Sequence, residues 1–197
     1  DAETRVLTAC CLADVIRVYA PDAPYNDDEL RDVFRLFVAE LAALAPDTAL
    51  FARKNYLLER LALVQAFVLL VELDAPLVVT LFRHFFAAAN QHAPASVTTN
   101  MCDIMTTCIN EAERVDDALL LATLKHLVTP HKRANPHAFK LAQLVVSNAA
   151  NKLTAPVTTL LNTVLDIADD VYSGHSAGAH DDSDDDVRIN SYTDYLR

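Results

Sequence analysis

The sequence predicts an all-α fold, a HEAT-type helical-repeat solenoid of stacked antiparallel helix hairpins. Three observations carry this. Only two glycines, Gly174 and Gly178, occur in 197 residues, which starves the tight positive-φ turns that sandwiches and barrels need. Apolar residues recur at helical spacing almost throughout, and no stretch of any length alternates with period two. Odd-numbered helices begin near residues 2, 48, 95 and 135, at intervals of 46, 47 and 40, a spacing typical of two-helix repeats. A four-helix bundle repeated twice is the structural alternative.

The first helix is expected over Glu3–Tyr19. Asn26 caps the second, with Glu29 three residues on completing a capping box. Its apolar stripe is Leu30, Val33, Phe34, Phe37, Leu41 and Leu44, and Pro46 follows its end. Asp47 or Thr48 caps a long third helix reaching Leu73, apolar nearly all round after Leu61. Asp74 caps the fourth, with Pro76 in its first turn and a stripe of Leu77, Val78, Leu81, Phe82, Phe85 and Phe86. Pro94 opens the fifth, to Asn110, and Asp116 the sixth, to Val128. Asn135-Pro136 starts the seventh helix and Thr154 with Pro156 the eighth. Four hairpins thus fill residues 1–170. Residues 171–189 are expected to form an acidic disordered loop, because Asp181-Asp182-Ser183-Asp184-Asp185-Asp186 repels itself and offers no core residue. Asn190 caps a further helix in 190–197 that the chain leaves truncated.

Charge and composition exclude several classes. The net charge is -11, with -6 of it from Asp169 onward, and no basic stripe suits direct nucleic-acid binding. The longest apolar run, Leu61–Leu73, is interrupted by Gln65 and Glu72 and is too short for a bilayer. Cys10, Cys11, Cys102 and Cys108 form no C-x-x-C pair and read as buried free thiols of a reducing compartment. No P-loop, G-x-S-x-G or H-E-x-x-H occurs, and neither a catalytic set, a cofactor nor a metal site is expected. His84, His126, His131 and His137 read as surface or capping residues. His175 and His180 beside the acidic run suggest a solvated loop rather than an ion site.

The loop Ala20-Pro21-Asp22-Ala23-Pro24-Tyr25 has a chemistry that a plain helix-helix turn does not need. Two prolines fix φ and remove two backbone donors. Ala20 and Ala23, each before a proline, are pushed out of the helical region. The product is a stiff connector with free carbonyls, one acid and a terminal aromatic. On composition alone it is a stiff turn.

The flanks add to that reading. The run Arg5-Val6-Leu7-Thr8-Ala9-Cys10-Cys11-Leu12-Ala13-Asp14-Val15-Ile16-Arg17-Val18-Tyr19 followed by this loop resembles the N-terminal part of the Pds-five (precocious dissociation of sisters) family of sister chromatid cohesion regulators. Asn55-Tyr56-Leu57-Leu58-Glu59-Arg60-Leu61-Ala62 and, more weakly, His137-Ala138-Phe139-Lys140-Leu141-Ala142 are similar to further family segments. The resemblance covers about residues 1–168, and the family's proteins are far longer, so it implies a fragment. It implies a non-catalytic HEAT scaffold of the chromosome and nucleus. Such a scaffold docks on cohesin through the kleisin subunit and recruits a Wapl-type release factor and sororin-type or acetyltransferase partners. The resemblance assigns peptide binding to Ala20, Pro21, Asp22, Ala23, Pro24 and Tyr25. The polar segment after the eighth helix departs from the family pattern.

Three further features carry weaker readings. Ser183, followed by three Asp, suits an acid-directed kinase. Lys132-Arg133 is expected in a loop between hairpins, as a solubilising pair or a contact for an acidic peptide. Arg53, Lys54 and Arg60 form a basic face on the third helix, read as solvated. A generic helical-repeat adaptor of transport or trafficking, and a helical-domain enzyme with a buried polar cluster, are the other function classes.

Overall fold

The computed structural model describes residues 1–42 and 44–176. They contain ten α-helices and no strand among the described residues. In order these are α1 (Ala2–Tyr19), α2 (Asp27–Leu41), α3 (Phe51–Leu63), α4 (Val68–Leu73) and α5 (Ala75–Ala88), followed by α6 (Ala95–Glu111) and α7 (Asp117–Leu124). A single 3-10 turn, Lys125–Leu127, leads to α8 (Thr129–Ala134), α9 (Pro136–Asn148) and α10 (Ala150–Ser176). Asp1–Thr159 make one compact unit, and a second begins at Leu160.

Within the first unit the helices stack in two rows. One row is α1–α3–α6–α9 and the other α2–α5–α7, each helix packing on its neighbours in the row. That is the layering of a HEAT solenoid. The repeat is also written in the side-chain hydrogen bonds. Six of them join residues 42–46 positions apart, one repeat length, among them Tyr56 to Asp14, Asn135 to the Ala89 carbonyl and Asn148 to Cys102.

The caps explain most boundaries. Asn26 Oδ1 accepts from the amides of Asp28 and Glu29, and Glu29 Oε2 accepts from the Asn26 amide, the expected capping box. Asp74, Asp116 and Asn135 cap α5, α7 and α9 by accepting from first-turn amides, without the return bond. The apolar stripes fill the core, with Phe34, Phe37, Phe67, Phe82, Phe85 and Phe86 fully buried. Phe34 meets Phe37 edge-on at 5.8 Å and Phe67 at 5.6 Å. On α5, Val79 is buried where Leu77 was expected, and Leu77 is half-buried.

Several boundaries differ from the sequence expectation. The long third helix is two, α3 and α4. Gln65 adopts φ 53°, the Gln65 amide donates to Ala62 O at 3.1 Å, and the Ala66 amide donates to Leu61 O at 3.0 Å. This is a Schellman motif with a glutamine in the left-handed position, and it turns Phe67 into the core against Phe34. Neither Asp47 nor Thr48 caps α3, since the Thr48 hydroxyl donates backward to Ala45 O and the helix opens at Leu50 without a side-chain cap. Thr154 does not start the eighth predicted helix. Its hydroxyl donates to Ala150 O at 2.7 Å within α10, and Pro156 lies inside that helix. α10 also continues to Ser176, into the segment expected as loop from residue 171. The expectations for the remainder of 171–189 and for 190–197 lie outside the described residues.

Candidate functional site

The proline loop starts where α1 ends. Ala20 leaves the helix at φ -51°, ψ 139°, the extended region that a following proline enforces. The chain re-enters a helix at the Asn26 capping box, so both ends of the loop are pinned. Ala20, Pro21, Asp22 and Pro24 are exposed; Ala23 and Tyr25 are half-buried. No described side chain bonds to Asp22, which leaves its carboxylate open to solvent. Val18 and Tyr19, the last residues of α1, are 68% and 56% exposed and add apolar surface beside the loop. The structure therefore places an exposed acid on a turn-and-bend loop, with exposed Val18 and Tyr19 at its start and half-buried Tyr25 at its end.

A turn and more back along α1, a cluster absent from the sequence reading ties this end to the next repeat. Tyr56 Oη donates to Asp14 Oδ2 at 2.9 Å, and Arg17 Nε donates to Asp14 Oδ1 at 3.3 Å. The Arg60 guanidinium lies 4.8 Å from the Tyr56 ring centre. Asp14 to Ala20 is six residues, about 9 Å along a helix. The signal available in sequence was the Asp14–Tyr56 separation, close to one repeat.

The basic face expected on α3 is dismantled. Lys54 is buried, with Nζ 3.8 Å from the buried Glu40, and Arg53 pairs with Glu3 at 2.9 Å. Arg60 is spent on Tyr56. Lys132 and Arg133 lie not in a loop but in α8. Cys11 is exposed, contrary to the expectation for all four thiols, while Cys10, Cys102 and Cys108 are buried. Burial raises the Cys10 and Cys102 thiols above their ordinary range and pushes Cys108 up to about 12. His126 is no surface histidine. Its ring stacks on Phe86 at 4.1 Å, and burial, then Lys125 and His131, lower its pKa to about 4. His84 Nδ1 lies 3.3 Å from the Val38 carbonyl. Ser183, His180 and the His175 side chain fall outside what the structure describes.

A cleft of about 400 Å³ between α6 and α9 is lined by Cys102, Asp103, His137, Lys140, Leu144 and Asn148 among others. Its thiol accepts from Asn148 Nδ2 at 3.6 Å, and burial raises its pKa above the ordinary thiol range, which disfavours the thiolate.

Stacked hairpins joined by an exposed loop define a helical-repeat scaffold of HEAT type. The chain belongs to the PDS5 family: the family model described as sister chromatid cohesion protein PDS5 matches residues 1–193. It is 35% identical over 169 residues to sister chromatid cohesion protein PDS5 homolog A of Mus musculus, covering 84% of this chain and 13% of the relative. PDS5 homolog B of Homo sapiens is also 35% identical, over 84% of this chain and 12% of its own length. The chain thus spans about an eighth of these relatives. A solved structure of a Pds5–Scc1 complex superposes with TM-score 0.71 at 25% identity, covering 83% of this chain and 26% of that one.

Proposed function

We propose that this segment is a non-catalytic docking scaffold of a cohesin-associated regulator of sister chromatid cohesion, and that Ala20–Tyr25 is its surface for short linear peptides. The reading places the protein on chromosomes in the nucleus, bound to the kleisin subunit of cohesin. The peptides belong to a Wapl-type release factor and to sororin-type or acetyltransferase partners. Ser183 remains a proposed phosphoacceptor in the same polypeptide.

The observation that carries the reading is the pinned, exposed loop with an unengaged Asp22 beside exposed Val18 and Tyr19. A loop fixed before binding loses little entropy when a peptide arrives. Asp22 suits an Arg or Lys of that peptide, the loop carbonyls suit its amides, and the tyrosines supply flat apolar contact. Asp22→Lys should leave the melting temperature near wild type and weaken a basic, aromatic-bearing peptide by about 2–4 kcal/mol. Isothermal titration beside a thermal melt makes the test. Undiminished affinity in a stable Asp22→Lys protein removes the loop as the peptide site. A generic adaptor binding through its hairpin faces would show that same indifference.

A further inference from the structure

Charge is distributed along the solenoid in an unequal way. All seven ion pairs among the described residues lie between Glu3 and Asp74. Residues 125–140 are the opposite case. They hold Lys125, Lys132, Arg133 and Lys140, three histidines and no acid, in a chain of net charge -11. None of these four cations has an ion-pair partner among the described residues.

These cations do not stand alone. Leu121 and Lys125 are four apart, so they share a side of α7 and the turn that continues it. Leu121 is 53% exposed and Val128 50%, unusual for large aliphatic side chains on a packed repeat. The Lys132 amide donates to Val128 O at 3.1 Å, which sets these two residues one helical turn apart on α8. α8 packs on both the 3-10 turn and α9. Three ring contacts brace this region. His126 is stacked on Phe86 and meets His131 edge-on at 5.6 Å, and the Lys132 ammonium lies 4.8 Å from the Phe139 ring centre.

We propose that the ridge Leu121–Lys125–Val128–Lys132, with Arg133, docks an acidic protein segment that carries an apolar anchor. Its carboxylates meet Lys125, Lys132 and Arg133, and its anchor covers Leu121 and Val128. Charge complementarity selects the acid, and the two exposed aliphatics select an apolar side chain between acids. A nucleic acid fits less well. The chain's net negative charge opposes a phosphate backbone, and the Phe139 ring is already covered by Lys132. This surface is separate from the proline loop.

The test is fluorescence anisotropy with the full 197-residue chain and a labelled peptide of alternating Glu and Leu. Controls are the same peptide with Ser for Leu and a thymidine oligonucleotide of equal charge. The Glu/Leu peptide should bind about fivefold or more tighter than the Glu/Ser peptide. The double variant Lys125→Glu, Lys132→Glu should lose about tenfold or more. Equal binding of the two peptides, wild-type affinity in the double variant, or tighter oligonucleotide binding would each overturn the proposal. Should circular dichroism show the double variant unfolded, Arg133→Glu decides. Its exposed side chain makes no described bond, it should lose about threefold, and unchanged affinity would refute the ridge.

Discussion

Glu40 is where three helices are tied together, and Glu40→Gln should destabilise the protein strongly. On α2, its Oε1 lies 3.0 Å from Arg5 Nη2 of α1 and its Oε2 3.8 Å from Lys54 Nζ of α3. Glu40 and Lys54 are buried, while Arg5 is more than half exposed. Glutamine keeps the shape and removes the charge, leaving the Lys54 ammonium buried with no counterion. Breaking a buried pair from one side costs about 3–5 kcal/mol. The exposed Arg5 arm adds no more than about 1 kcal/mol. For a chain of this size each kcal/mol shifts the melting temperature by about 2–4 °C, so the fall should be on the order of 6–20 °C. Lys54→Met leaves Glu40 paired with Arg5 and should cost about 1–2 kcal/mol, and the double variant should recover most of the Glu40→Gln loss. Urea denaturation followed by far-UV circular dichroism measures all three. A Glu40→Gln protein within about 1 kcal/mol of wild type, or a double variant no better than the single, would refute the argument that the lone ammonium sets the cost.

Three more outcomes follow from the packing. Phe85→Ala, at a fully buried position, should cost about 3–5 kcal/mol, and an unchanged denaturation midpoint would show that the α5 face is not core. Gln65→Gly should be neutral or up to about 1 kcal/mol more stable, whereas Gln65→Ile should be at least about 1 kcal/mol less stable; the reverse order in a melt would contradict the left-handed cap. His126 has its folded pKa depressed to about 4, so the unfolded chain takes up the proton first as pH falls. The stability that the neutral ring contributes is present above about pH 6.5 and lost as pH falls toward 4. His126→Phe, which keeps the stack on Phe86, should flatten the melting temperature across that window, and an unaltered slope would show that other groups govern it.

What the sequence made legible was chemistry that acts locally. Asn26 with Glu29, Asp74, Asp116 and Asn135 are caps that bond within three residues, and each was found where its type announced it. The α3–α4 break was hidden because a glutamine takes a position that usually advertises itself as glycine. Lys54 was misread because its burial depends on Glu40, a residue on another helix. His126 was misread for the same reason, since Phe86 supplies the ring that covers it. The α8 turn escaped because a helix of six residues shows too little periodicity to stand out. The proline loop was visible by composition, but the exposed Val18 and Tyr19 beside it are a fact of packing.

The two rows of helices have a consequence for how the chain comes apart. Helix α1 touches α2 and α3 but not α6, and α3 does not touch α9, while α5 reaches past the next hairpin to α9. The cross-repeat hydrogen bonds reach one period and stop. Apart from that one contact, stability is a sum over hairpins and the interfaces between adjacent hairpins, as in a one-dimensional chain of coupled spins. Strain applied at the proline loop is shared with the neighbouring hairpin and dies out there. Under tension such a body yields hairpin by hairpin from whichever end is pulled, and stays folded beyond the break. Such a stack can thus give way locally and close again while the rest of it stays folded.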